Sequence, residues 1–248
     1  GSGILTLAWG MAGASAIVAV VLTLFVVVLN GCTVMLLVHA AEAHKKFNLG
    51  ALLRELGPAT GLTQLGPFAQ FTCNALVWIT LWMSLVGYVI IVQDCLSSLF
   101  PVGSVLARRW VWGFLSSAIV LPLSLTELQF LSWTSSPLSV GVNIYLLGLL
   151  CVRLASDGIS PDRPCLMAKL LPPPTGMFAY LSLISNTIII QMCILPMYEK
   201  LQDRSPRRFG VALGGSFSIL FLLYATFATI AYLHFGPTVP ANILNDLS

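Results

Sequence analysis

Between Ala16 and Ala41 the chain carries no charged side chain. As an α-helix this run extends roughly 39 Å, more than the hydrocarbon thickness of a bilayer, so it crosses with some tilt. In lipid the backbone groups of such a run have no water to bond, and a helix satisfies them within the segment. The rest of the sequence follows suit. Only 8% of the 248 residues are charged, where soluble domains carry about 25%, and mean hydropathy is +0.92. The fold class is therefore an all-α polytopic membrane protein in a lipid bilayer. The net charge of +3 is spread over short loops with no basic tail, which argues against nucleic acid as a partner. No positively charged region precedes the first apolar run, so no cleavable signal is expected. Six cysteines form no CxxC pair or His/Cys cluster, so neither a metal site, a cofactor nor a disulfide framework is indicated. Convergent catalytic groups are missing too, and an enzyme is not expected.

The first apolar segment, Ile4 to Gly13, is about 10 residues long, half of what a bilayer crossing needs. After the Ala16–Ala41 span, a polar loop is expected from Glu42 to Gln64, with Gly57-Pro58 and Gly61 as turn signals. A third span runs from Pro67 to Phe100, with Asn74, Thr80, Ser84 and Tyr88 expected to be buried along it and Asp94 near its end. The fourth runs from Arg108 to Leu125 and the fifth from Phe130 to Ala155. A proline-rich loop reaches Thr175, the expected N-cap of a sixth span from Gly176 to Leu195. Ser205-Pro206, a cap residue followed by proline at the first helical position, opens the seventh span, Arg207 to Leu233. The basic loop residues divide seven (Lys45, Lys46, Arg54, Lys200, Arg204, Arg207, Arg208) against five (Arg108, Arg109, Arg153, Arg163, Lys169), which favours a cytoplasmic end for the second span.

Two spans have features of broken helices. Gly1, Ser2, Gly3 and Ile4 open the first segment, and glycines two apart let backbone N–H groups approach a ligand. A close-packing role for these glycines is the alternative. The sixth span carries Ser185, Asn186 and Thr187 with Gln191 one turn on, a polar cluster at bilayer depth. Asn186 and Thr187 can bond locally and compete with the helix ladder, so a break is expected between Ser185 and Gln191. The two features lie five spans apart, the spacing of an inverted repeat with one discontinuous helix per half.

Several motifs agree with this. Gly1-Ser2-Gly3-Ile4-Leu5 resembles the GSGIL signature of the amino acid/auxin permease family. Tyr88 to Asp94 resembles that family's third-helix ending, Leu121-Pro122-Leu123-Ser124 its PLS step, and Thr134-Ser135 the start of its fifth helix. Leu195-Pro196-Met197-Tyr198-Glu199 is similar to its LPIYxEL box and Asn242-Ile243-Leu244 to its NIL motif. The signature departs in having Thr6-Leu7-Ala8 where the family often has Gly-Leu-Pro.

The resemblance implies one transmembrane transporter domain over residues 1–248, incomplete at both ends: a half-helix plus six spans of a five-plus-five fold. It implies a secondary active transporter of amino acids working by alternating access, with Na+ or H+ as coupling cation and an integral, multi-pass location. Gly1, Ser2, Gly3, Ile4, Ser185, Asn186, Thr187 and Gln191 would bind the substrate. The alternatives left open are a transporter-like amino acid sensor and an inactive truncated product.

Overall fold

The computed structural model describes residues 3–59, 66–97, 100, 104–105, 108–124, 128–158, 174–236 and 239. Among the described residues every regular element is helical. The helices are α1 (Ile4–Ala14), α2 (Ala16–His44), α3 (Leu49–Ala59), α4 (Gly66–Ser97), α5 (Arg109–Ser124), α6 (Leu128–Asp157), α7 (Pro174–Ile188), α8 (Gln191–Glu199) and α9 (Pro206–Phe235). Among the described residues, four stretches are long and apolar enough to cross a membrane: Ala16–His44, Gly66–Gln93, Pro174–Glu199 and Pro206–Phe235. Six full spans were expected. The described part of α5, 16 residues, rises about 24 Å. Among the described residues of α6, Val140–Ser156 is a shorter apolar stretch.

Boundaries otherwise fall close to the expected ones, with four corrections. The segment expected as a polar loop contains α3, and Gly57-Pro58 falls in its last turns rather than in a turn between elements. The Asn48 side chain starts this helix by accepting the Gly50 N–H at 2.9 Å and the Ala51 N–H at 3.3 Å. Pro174, expected to be non-helical, is the first residue of α7, where its missing N–H costs nothing; Thr175 is thus inside the first turn and not its cap. Ser205 does stand at the N-cap of α9 ahead of Pro206, but its side chain makes no capping bond. Finally, α4 buries none of Asn74, Thr80, Ser84 or Tyr88 fully, and Tyr88 is half exposed.

The buried core belongs to α1, α2, α7, α8 and α9, with Leu146 and Leu150 added from α6 and Leu52 from α3. Helix α1 lies inside, between α7 and α9, and buries Ile4, Leu7, Ala8, Met11 and Ala14. Helix α4 packs on α3 and on α5, and none of the described apolar side chains of α4 or α5 joins the core.

Register follows from five contacts. As numbering rises along α1 it falls along α7: Gly3 lies on Thr187, Gly10 on Tyr180 and Gly13 on Gly176. Against α2 the numbering rises together, with Thr23 bonded to Tyr180 at 2.7 Å and Asn30 to Ile188 at 3.2 Å. So α7 is antiparallel to α1 and parallel to α2, and the chain reverses between α1 and α2 at the single residue Ser15. Its φ of 71° is a conformation that L residues rarely adopt.

At the far end of α2, Glu42 pairs with Lys45 and lies 3.8 Å from Arg204, whose guanidinium sits 4.4 Å over the Phe47 ring. Buried Tyr198 meets Phe209 edge-on at 5.3 Å in the same cluster. The LPMYE motif therefore closes this end of the bundle.

Candidate functional site

Asn30 marks the midpoint of the 29-residue α2. Its bond to Ile188 fixes the C-terminus of α7 at the same depth, so the sixth span is interrupted halfway across. The interruption is Ile189-Ile190, inside the expected window but two residues beyond Thr187. Helix α7 remains regular through Asn186 and Thr187, so these residues are not what breaks it. Thr187 simply returns its hydroxyl to the Leu183 carbonyl at 2.8 Å, which a helix tolerates. The break is satisfied from elsewhere: Gln191 accepts the Ile190 N–H at 3.2 Å and donates to Asn30 Oδ1.

Helix α1 begins at the same level. Gly3 is its N-cap position and touches Thr187. A helix starting at Ile4 leaves its opening N–H groups without intrahelical partners and presents the positive end of its dipole. Beside that start, between α1, α7 and α4, lies a cavity of about 450 Å³, a size within the usual range of small-molecule sites. Gly3 and Thr6 line it from α1, and Leu183, Asn186 and Thr187 from α7. From α4 come Thr80, Ser84 and Tyr88 on one side, with Met83, Gly87 and Ile91 beside them.

The hydroxyls have a common property. Thr6 donates to the Gly3 carbonyl at 3.0 Å, Thr80 to the Leu76 carbonyl at 2.8 Å and Thr187 to the Leu183 carbonyl. With their protons committed to backbone, the hydroxyl oxygens of these three lining residues are left as acceptors. One end of the site thus offers N–H donors and the walls offer hydroxyl acceptors. The described lining contains no charged side chain.

Of the residues expected to bind substrate, Gly3, Asn186 and Thr187 come together at this cavity. Gly1 and Ser2 lie outside the described residues, as do the Asn242-Ile243-Leu244 motif and the Asp94 side chain. Ile4 is buried in the core. Ser185 and Gln191 are not among the described lining residues, and the Gln191 amide is engaged with Asn30 and Ile190. The α4 wall was missed as a wall, although Thr80, Ser84 and Tyr88 recur every four residues on one helix face, which is the signal that finds it.

The sequence profile of the family described as transmembrane amino acid transporter protein matches residues 1–248. The chain belongs to that family. Among its relatives, amino acid transporter AVT1B of Arabidopsis thaliana is 26% identical over 77% of this chain and 35% of its own length. Amino acid transporter AVT6E of the same plant is 24% identical over 99% of this chain and 52% of its own. The chain thus spans between about a third and a half of the length of the curated relatives it matches. No solved structure matches. The family is one of membrane transporters and not of enzymes, and its membership together with the apolar helices makes this an integral, multi-pass membrane protein.

Proposed function

We propose that the protein is a secondary active transporter of amino acids, coupled to Na+ or H+ and working by alternating access, with the α1–α7–α4 cavity as its substrate site. The observation that carries this reading is the start of α1 at mid-membrane depth, facing the cavity and opposite the break in the sixth span. A zwitterion suits both ends of such a site. Its carboxylate meets the N–H groups around Gly1–Ile4, where the dipole of α1 favours an anion. Its ammonium meets the hydroxyl oxygens of Thr6 and Thr187, which can only accept. Asn186 and the α4 wall are left to read the side chain. In the transport cycle α1 and α7 rock against the remaining helices around this site.

Uptake by the full-length protein in proteoliposomes tests the proposal, using each radiolabelled common L-amino acid under an imposed Na+ or proton gradient. Accumulation of at least one amino acid, driven by one of the two gradients, is expected. Equal counts with and without gradients, across all of them, would overturn it.

A further inference from the structure

The break in the sixth span leaves backbone groups that lipid cannot satisfy, and each unpaired one at this depth is costly. Three side chains meet there. Asn30, buried at the midpoint of α2, donates from Nδ2 to the Ile188 carbonyl at 3.2 Å. Gln191 accepts the Ile190 N–H at 3.2 Å through Oε1 and donates through Nε2 to Asn30 Oδ1. Thr33, one turn along α2, donates its hydroxyl to the Asn30 carbonyl at 2.9 Å and stands 3.4 Å from Gln191 Nε2. The two amides form one chain of bonds from the last carbonyl of α7, through α2, to the first residue of α8.

We propose that Asn30 and Gln191 are positioning residues: together they hold the α7–α8 break on α2 and thereby set where Asn186 and Thr187 stand in the cavity. Gln191 is then not a substrate contact. Ile188 directly follows Asn186-Thr187, so whatever fixes its carbonyl fixes the cavity-facing turn of α7. The Gln191–Asn30 bond belongs to α8 and the Asn30–Ile188 bond to α7, so the α2 amide is the one group both half-helices share. If α8 swings relative to α7, either the Gln191–Asn30 bond or the Asn30–Ile188 bond must part. The functional half of this inference rests on the transport reading above; the structural half does not.

The test uses full-length protein carrying Asn30→Leu, Gln191→Leu, both together, and Asn30→Asp. The aspartate keeps an acceptor for Gln191 but repels the Ile188 carbonyl, and it serves where the leucine variant fails to fold. Hydrogen exchange in detergent, followed by mass spectrometry, reads the structure. Exchange over residues 185–195 is expected to speed at least tenfold in each variant, with residues 206–235 unchanged. The double variant should lose no more than the worse single one, because both remove the same chain of bonds.

Uptake and binding of a radiolabelled mixture of the common L-amino acids read the function. Maximal uptake is expected to fall at least tenfold while half-saturating concentration moves less than threefold. Unchanged exchange at residues 185–195, additive losses in the double variant, or a Gln191→Leu protein with altered amino acid preference at normal turnover would each overturn the assignment. If the parent protein moves no amino acid but exchange responds as expected, the transport reading fails and the brace stands. If the parent transports and exchange does not respond, the brace alone fails.

Discussion

The α1–α7 seam and the α2–α9 seam are both lined with glycine, yet they differ in what each glycine faces. On the first, a methyl group at Gly176 would overlap the backbone carbonyl of Gly13, and one at Gly10 would come within 2.8 Å of the Tyr180 ring. A methyl at Gly3 would overlap the Thr187 side chain. On the second, a methyl at Gly31 would stand 3.4 Å from the edge of Phe217, and one at Gly210 3.1 Å from the tip of Met35. An apolar groove of about 510 Å³ runs between α2 and α9 beside these residues. Backbone and an anchored ring cannot give way, whereas a methionine end can. The first seam is a fixed pair of helices approaching as closely as backbones allow. The second is filled by side chains with room to rearrange. In membranes such close approach substitutes for the hydrophobic force that is missing between helices.

The seams differ most at Gly176. Gly176→Val cannot be accommodated without separating α1 from α7, because the obstacle is the Gly13 carbonyl itself. A loss of about 3 kcal/mol or more is expected, the upper range for overpacking. Heating detergent-solubilised protein should show the transition lowered by several degrees or lost entirely. A valine variant as stable as the parent would show that the two helices do not meet at this point.

Next comes Gly3, where close packing and the proposed substrate contact overlap. Gly3→Val is expected to abolish uptake while leaving membrane insertion intact. Thr187 supplies a way to separate the two roles, since it is the group a new side chain would strike. In Gly3→Ala combined with Thr187→Ala the collision is relieved. Uptake is nevertheless expected to stay below about a tenth of that of Thr187→Ala alone, because the added methyl remains at the cavity wall where the proposed carboxylate contact lies. Recovery to the level of Thr187→Ala would make Gly3 a packing residue only.

A smaller effect is expected at Gly10. The Tyr180 ring that opposes it is held by a 2.7 Å bond to Thr23 and is almost fully buried, so it cannot swing aside freely. Gly10→Ala should cost about 1–2 kcal/mol, at the low end of overpacking. Adding Thr23→Val should reduce that cost by freeing the ring. A cost unchanged by the second substitution would mean that Tyr180 is held by packing rather than by its hydroxyl.

These contrasts also mark what sequence can and cannot disclose. Spans were legible because a charge-poor run leaves lipid as the only suitable solvent, and Ser205-Pro206 announced α9 by local chemistry alone. The interruption of the sixth span was legible as a region, since polar residues at mid-depth are out of place. Its location was not. Ile189 and Ile190 carry no local signal, and while the adjacent Gln191 takes the Ile190 N–H, the Ile188 carbonyl is satisfied by Asn30, more than 150 positions earlier. Asn30 gives no sign of this role in the sequence, because a single amide in an apolar run does not reveal its partner. The α3 helix was hidden for the opposite reason: glycine and proline near its end outweighed a short amphipathic pattern. At the cavity, the glycine start and the Asn186-Thr187 turn were readable, while the α4 wall depends on how a largely exposed helix is placed.

The smallest effect, and the one that most sharpens the contrast between seams, is expected at Gly210. A new methyl there meets only Met35 Cε at 3.1 Å and its sulfur at 3.4 Å, the far end of a side chain with three rotatable bonds. A shift of a few tenths of an ångström into the neighbouring groove relieves the contact. Against that small cost stands the helix propensity of alanine, about 0.8–1.0 kcal/mol better than glycine in a helix interior. Gly210 lies in the second turn of α9, so the gain applies. Gly210→Ala is therefore expected to be neutral or to raise the thermal transition by a degree or two, with uptake unchanged. A loss comparable to that at Gly10 would show that the α2–α9 seam is as tightly constrained as the α1–α7 seam. The difference in what faces each glycine would then carry no mechanical meaning.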